Sequence, residues 1–257
     1  MAWHSKWHNI KHRKAAQDAK KSKVYAKVAK VIQMAARNGD DPSLNPSLDN
    51  ALTKARQAGL PKDVIQKAID KGAGNIEGEE LQEIFYEWYG PNGVALYIKC
   101  VTTNTNRTSS VVRSTLTKYG WNLGEPGSVS WQFNEKGEIF VNGTLKTEQV
   151  KWKEIEKIIP LNEEVFELAV LETPAEDYEI IDNDNEQVAR VVTSRDDFMA
   201  TVKALELHDR NIEQSDLQFL AENEIELDEA GEQKLERLIE ALEEDDDVDT
   251  VWHNAAG

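Results

Sequence analysis

Between Val24 and Ala35, apolar side chains recur at Val24, Val28, Val31, Ile32 and Ala35, one face of a 3.6-residue helical period. Asn38-Gly39 stops that helix, because Gly takes a left-handed backbone at little cost. Asn45-Pro46 places a cap and a first-turn proline before Leu48, Ala51, Leu52 and Ala55, and Gly59 closes this second helix. Pro61 opens a third, with Asp63 in its first turn and a stripe of Val64, Ile65, Ala68 and Ile69, ended by Gly72 and Gly74. The connections are tight, which predicts a small helical bundle.

After Gly74 the period shortens to two. QEIFYEWY and VALYIKCVTT around Gly90-Pro91-Asn92-Gly93 predict a β-hairpin. TNTNRT reads as a polar loop, and SSVVRSTLTKYG as a helix burying Val111, Val112, Leu116 and Tyr119. GSVSWQF and EIFVNG read as strands around a turn at 134–137, and residues 147–177 as two helices parted at Pro160. YEIIDNDNEQVARVV is a hairpin over Asp182–Asn185, and DDFMATVKALEL a helix capped by Ser194. SDLQFLA and EIELDE lead into the helix EAGEQKLERLIEALEED, which the acidic run EEDDDVD caps, and VDTVWHN is a closing strand. Residues 76–257 are therefore α+β, with open antiparallel sheets and helices on one face.

Length and composition narrow the class. At 257 residues the chain is expected to hold two or three domains. It has no apolar run near the roughly 18 residues of a membrane span, and its basic beginning lacks the apolar stretch of a secretory signal. The single cysteine, Cys100, permits no intrachain disulfide and suits a reducing cytoplasm. Within VALYIKCV it reads as a buried strand residue rather than a catalytic thiol.

Charge changes the picture most. Residues 1–75 carry 15 Lys or Arg against 6 Asp or Glu, and the remainder 15 against 41, within a formal net charge of -17. Met1–Lys30 alone holds nine Lys or Arg and one acid, Asp18. A basic end on an acidic body points to a nucleic-acid-facing segment and a remainder that faces away from phosphates. Lys6, Lys11, Arg13, Lys14, Lys20, Lys21 and Lys23 are expected to neutralise phosphates, with His4 and His12 donating and Trp7 stacking on bases. Asn106-Arg107-Thr108 is a second candidate contact, since a polar loop before a helix N-terminus suits phosphate or sugar; an Asx turn with a surface arginine is the alternative.

Catalytic signatures are lacking. There is no P-loop, dinucleotide turn, CxxC or HExxH, so no enzyme and no cofactor is expected. His4, His8 and His12 share a helical spacing that could hold Zn²⁺, but Lys6, Lys11, Arg13 and Lys14 make a dication costly there and no carboxylate supports the imidazoles. No metal is expected. A scaffold whose acidic domains bind a basic protein is a further possible class.

HSKWHNIKHRKAAQDAKKSK at 4–23, DPSLNPSLDNAL at 41–52, LPKDVIQKAIDKGAG at 60–74, YGPNGVALYIKC at 89–100, TNTNRTSSVVR at 103–113 and NLGEPGSVSWQF at 122–133 resemble the YebC/PmpR family. Its mitochondrial relatives are translational activators of cytochrome c oxidase. The resemblance covers nearly the whole chain and implies an N-terminal helical domain followed by two α/β domains, one inserted in the other: 1–76, 77–133 plus 205–257, and 134–204. It implies a non-enzymatic regulator, either a DNA-binding transcription factor or a ribosome-associated factor relieving stalled translation. No recognition helix or dimer seam stands out, which favours rRNA over duplex DNA and a monomer over a dimer.

The same resemblance isolates three tryptophans. Trp3, Trp88 and Trp121 stand where the family pattern reads Gly, whereas Trp7 and Trp131 stand where it reads Trp. Gly120-Trp121-Asn122 lies just past a helix, where a residue with a Cβ at positive φ costs roughly 1–2 kcal/mol. Reading of UGA codons as glycine in the native organism would account for all three; a lineage that tolerates exposed aromatics at loop and N-terminal sites is the alternative.

Overall fold

Asn45 explains how the first two helices meet. In the computed structural model, which describes residues 21–78, 80–90, 93–123, 127–150, 153–183 and 186–256, α1 spans Lys21–Ala35, α2 Pro46–Ala58 and α3 Lys62–Gly72. The buried Asn45 side chain accepts from Leu48 N–H at 3.1 Å, capping α2, and its amide donates to Ala35 O at 2.8 Å and Gly39 O at 2.7 Å. One side chain thus satisfies groups at the end of one helix and the start of the next. Gly72 lets α3 approach α1: a Cβ there would meet the Gln33 carbonyl and Ala36. Ile32, Leu48, Ala51, Ala55 and Leu60 form the core of this layer.

The chain folds into two compact units, and in the first these helices share residues 21–133 and 221–257 with a four-stranded antiparallel sheet. Its strands are β1 (Gln82–Tyr89), β2 (Ala95–Thr102), β3 (Asn122–Leu123) and β9 (Val248–His253), ordered β3-β1-β2-β9. Helices α4 (Thr105–Lys118) and α7 (Glu229–Glu243) cover one face, where Val112, Leu116, Leu238 and Leu242 pack on Trp88, Leu96, Ile98 and Cys100. Residues one step out of that alternation, Phe85 and Tyr97, stack at 5.0 Å on the other face, with Phe133 beyond them.

The second unit, 134–220, is inserted in sequence. Strands β4 (Phe133–Val150), β5 (Lys153–Pro160), β6 (Asp177–Asn183), β7 (Glu186–Ser194) and β8 (Arg210–Ala221) form a sheet ordered β5-β4-β7-β6, with β8 paired to β4. Helices α5 (Glu163–Leu171) and α6 (Phe198–Leu207) supply Phe166, Val170, Val202 and Leu205 to a separate core with Ile139, Val141 and Val191. The whole is the expected α+β architecture with a helical N-terminal layer.

Several local expectations are corrected. Helix α4 begins at Thr105, with Asn104 as its cap accepting from Arg107 N–H at 3.1 Å, so Asn106-Arg107-Thr108 is a first helical turn and not a loop. β4 runs straight through 134–137. Gly137 sits opposite Thr193, and a Cβ there would strike Thr193 and Phe198, so this glycine serves close packing rather than a turn. Residues 147–150 and 153–160 are strand, the end of β4 and β5, where helix was predicted; their Lys/Glu-rich composition favours helix locally, and the pairing of β5 to β4 overrides it. Residues 205–220, read as part of the discontinuous domain, belong to the inserted unit, because Leu205, Ile212 and Leu217 pack in its core. Finally, Gly120 carries the positive φ of +80° after α4, and Trp121 does not, so no Cβ strain falls on Trp121.

Candidate nucleic-acid interface and the Asp247 hub

Of the residues expected to contact nucleic acid, His4, Lys6, Trp7, Lys11, His12, Arg13, Lys14 and Lys20 lie outside the described residues, as does His8. Lys21 opens α1. The exposed Lys23 donates from Nζ to the Glu244 carbonyl at 3.2 Å.

Lys23 is the first of three lysines, with Lys27 and Lys30, along one stripe of α1. Lys27 Nζ donates to the carbonyls of Glu243 at 2.6 Å and Val248 at 2.8 Å. Lys30 Nζ donates to Asp246 O at 2.9 Å and to Asp247 Oδ1 at 2.7 Å. The last carbonyls of a helix have no partner within it and carry the negative end of its dipole, so ammonium groups are well placed at the end of α7. Burial lowers the Lys27 pKa, and the charges of Glu243, Asp249, Asp246 and Asp245 only partly restore it. The acidic run EEDDD therefore does more than cap α7; it holds α1.

Asp247 is the centre of this contact. Its carboxylate, 4% exposed, also receives Arg107 Nη2 at 2.6 Å and Thr102 Oγ1 at 3.0 Å, with Thr108 Oγ1 at 2.9 Å. Its backbone carbonyl accepts Val101 N–H at 2.8 Å. One carboxylate joins α1, β2, α4 and the turn before β9. Burial by itself would raise the Asp247 pKa; the hydrogen bonds from Lys30, Arg107 and Thr108, with the Lys30 charge, outweigh it and hold the group well below the usual carboxylate range. Arg107 thus has a structural partner although its side chain is 60% exposed. Sequence reading missed Lys27, Lys30 and Asp247. Their signal was the pairing of a lysine stripe at i, i+4, i+7 with a run of five acids more than 200 residues away, which no local rule connects.

A second carboxylate orders the segment before β4. Glu87 accepts the backbone N–H groups of Gly127, Val129 and Ser130 at 2.8, 2.6 and 2.8 Å. Burial opposes its ionisation, but these three donors prevail and lower its pKa. Trp131, 65% exposed, donates from its indole to Ser128 O at 2.8 Å. Elsewhere, burial pushes the Cys100 thiol up to about 12, which keeps it protonated and unreactive. Among the described residues no group of His, Cys, Asp and Glu is arranged to hold a metal ion, and no helix is long and apolar enough to cross a membrane.

From its first turn onward, α4 presents Asn106, Ser109, Ser110, Arg113, Ser114, Thr117 and Lys118 along a shallow, open surface depression. Asn106 and Arg107 are both exposed at its start.

Known proteins share this plan. The chain is 41% identical over 255 residues to a probable transcriptional regulatory protein of Nitratiruptor sp., covering 99% of each chain. It is 42% identical over 257 residues to another of Corynebacterium glutamicum, covering 99% of this chain and 94% of that one. The crystal structure of Aq1575, a conserved hypothetical protein from Aquifex aeolicus, superposes with a TM-score of 0.76 at 34% identity, over 93% of this chain and 91% of that one. Residues 5–75 match the TACO1/YebC protein N-terminal domain and residues 81–255 the TACO1/YebC second and third domain. The chain belongs to the TACO1/YebC family.

Proposed function

We propose that this protein is a non-enzymatic, nucleic-acid-binding regulator of gene expression that associates with the ribosome, contacts rRNA and relieves stalled translation. The observation that carries the reading is the charge separation: nine cations against one acid in the first thirty residues, of which Lys23, Lys27 and Lys30 hold α1 to the end of α7, on a chain of net charge -17. Phosphate contact is the dominant, salt-dependent source of nucleic-acid affinity, and it needs such a cluster. The docking of Lys27 and Lys30 supports it, because it fixes α1, which directly follows the basic stretch in sequence, to the acidic segment. The acidic remainder then faces solvent or a basic protein, as on a ribosome. The protein acts as a cytoplasmic monomer without cofactor or metal. We further propose that residues 1–76 form the nucleic-acid-binding domain.

A DNA-binding transcription regulator is the second reading, favoured by the name probable transcriptional regulatory protein borne by its relatives. Co-sedimentation with ribosomes and binding to duplex DNA, both at one moderate salt concentration, separate the two. Retention on ribosomes with little duplex binding is expected. The reverse result overturns the ribosomal reading in favour of transcription, and binding to neither leaves the acidic scaffold.

A further inference from the structure

The outer face of α4 differs in kind from the surface around it. No Asp or Glu occurs between Trp88 and Gly124, although residues 76–257 carry 41 of them. Within this acid-free stretch, Asn106, Ser110, Arg113, Ser114, Thr117 and Lys118 fall at i, i+4, i+7, i+8, i+11 and i+12 of α4, a single helical face. The opposite face holds Thr108, Val112 and Leu116, all buried in the core, so the polar side is fixed outward. These six, with Ser109, line one open depression, and no acid shares it. Among the described residues no carboxylate pairs with Arg113 or Lys118; Lys118 lies 6.0 Å from the Tyr119 ring centroid. Every one of the six side chains can donate a hydrogen bond, and none is an acceptor-only group. Ser110 now donates to Asn106 O at 2.9 Å and can rotate to another acceptor.

A surface of hydroxyls, an amide, a guanidinium and an ammonium, cleared of carboxylates, suits phosphate oxygens, the usual partners of Arg, Lys, Ser, Thr and Asn in nucleic-acid complexes. From Asn106 to Lys118 the helix rises about 18 Å, the length of roughly five nucleotides of one duplex strand. The anchoring at Asp247 adds rigidity: Arg107 and Thr108, in the first turn of the helix that carries this face, are tied to Asp247 and through it to Lys30 of α1.

We propose that the outer face of α4 is a second contact track for a nucleic-acid phosphate backbone, separate from the basic N-terminal stretch. This rests on the reading that the chain binds nucleic acid. The test uses the full chain as wild type, as the Arg113→Gln/Lys118→Gln double variant, and as the charge-preserving Arg113→Lys/Lys118→Arg variant. Affinity for a structured rRNA fragment and for a duplex DNA is measured across a salt series, with near-ultraviolet circular dichroism as the fold control. The Gln variant is expected to weaken binding and flatten the log–log salt slope by about 1.8 on duplex, or about 1.4 on single-stranded segments, that is two contacts. The charge-preserving variant keeps the wild-type slope. Loss confined to the RNA arm or to the DNA arm identifies the backbone that α4 follows. If wild type binds but the Gln variant shows its slope and affinity, the α4 track is overturned and the broader reading stands. If wild type binds neither probe, both fall.

Discussion

Lys30 Nζ lies 2.7 Å from Asp247 Oδ1, and this ion pair joins the first described helix to the turn before the last strand. The carboxylate is 4% exposed and the ammonium 24%. A carboxylate so deeply placed persists because four side chains surround it, two of them cationic. Removing it leaves Lys30 and Arg107 without their shared acceptor and loosens α1 from the β2–α4 corner, where the bonds of Lys27 and Lys30 to backbone carbonyls remain.

Asp247→Ala should therefore destabilise the protein toward the low end of the roughly 3–5 kcal/mol that breaking a buried ion pair costs, since Lys30 keeps some contact with water. Urea unfolding measures it. In a double-mutant cycle with Lys30→Ala the two losses should be clearly less than additive. Full additivity would mean that the two groups do not interact energetically.

The same carboxylate sets a pH dependence. Its folded pKa lies below the ordinary value near 3.9, so the unfolded chain takes up the proton first. Its stabilisation is then fully present above about pH 4 to 5 and is lost as pH falls through the ordinary carboxylate range toward the folded pKa. The stability gap between wild type and Asp247→Asn should shrink steadily on acidification in that window. A gap that widens would place the proton on the wrong state.

For the N-terminal stretch, changing Lys11, Arg13, Lys14, Lys20 and Lys21 together to Gln should remove most nucleic-acid affinity, each lost duplex contact lowering the salt slope by roughly 0.9. The fold should survive, because none of the five lies on the Val24–Ala35 stripe. Unchanged binding by this variant contradicts the electrostatic reading of residues 1–30.

The buried Cys100, with its thiol pushed up to about 12, should be inert to a chromogenic disulfide reagent in the folded protein and react only in denaturant. Reaction at the folded-state rate of an exposed thiol would show that β2 opens readily.

Local signals were legible where one residue decides the outcome. Asn45-Pro46, Gly59 and the antiparallel pairing of β1 with β2 came through because caps and close strand pairs depend on chemistry within a few residues. The strand at 153–160 did not, because its Lys/Glu composition speaks for helix and only the partner strand β4 decides otherwise. Nor did Asp247: the sequence showed an acidic run and a basic helix, but their pairing is a tertiary fact. Arg107 was singled out as a candidate nucleic-acid contact, and what the structure shows is its bond to Asp247, which joins residues 140 apart and has no local signature.

Trp88 and Trp121 carry the last prediction. Both are buried in the same core, and the Trp88 indole N–H has no hydrogen-bond partner there. An unsatisfied buried donor costs about 1–3 kcal/mol, and an indole adapted to its core usually finds an acceptor. The Trp121 ring lies so close over Gly90 that a Cβ at position 90 would fall within it, so the indole fits only against bare backbone. These features, with the glycine that the family resemblance implies at these positions, lead us to expect UGA codons at positions 3, 88 and 121 and UGG at 7 and 131, with glycine inserted at the first three in the native organism. Reading the gene decides it, and UGG at all three ends the idea. A second measurement is independent of the gene. Deleting a well-fitted buried tryptophan costs about 3–5 kcal/mol, so Trp88→Gly/Trp121→Gly should unfold the protein if the indoles are native. Stability equal to or above that of the tryptophan form is the expected result, because the backbone of this family would then have been selected around glycine.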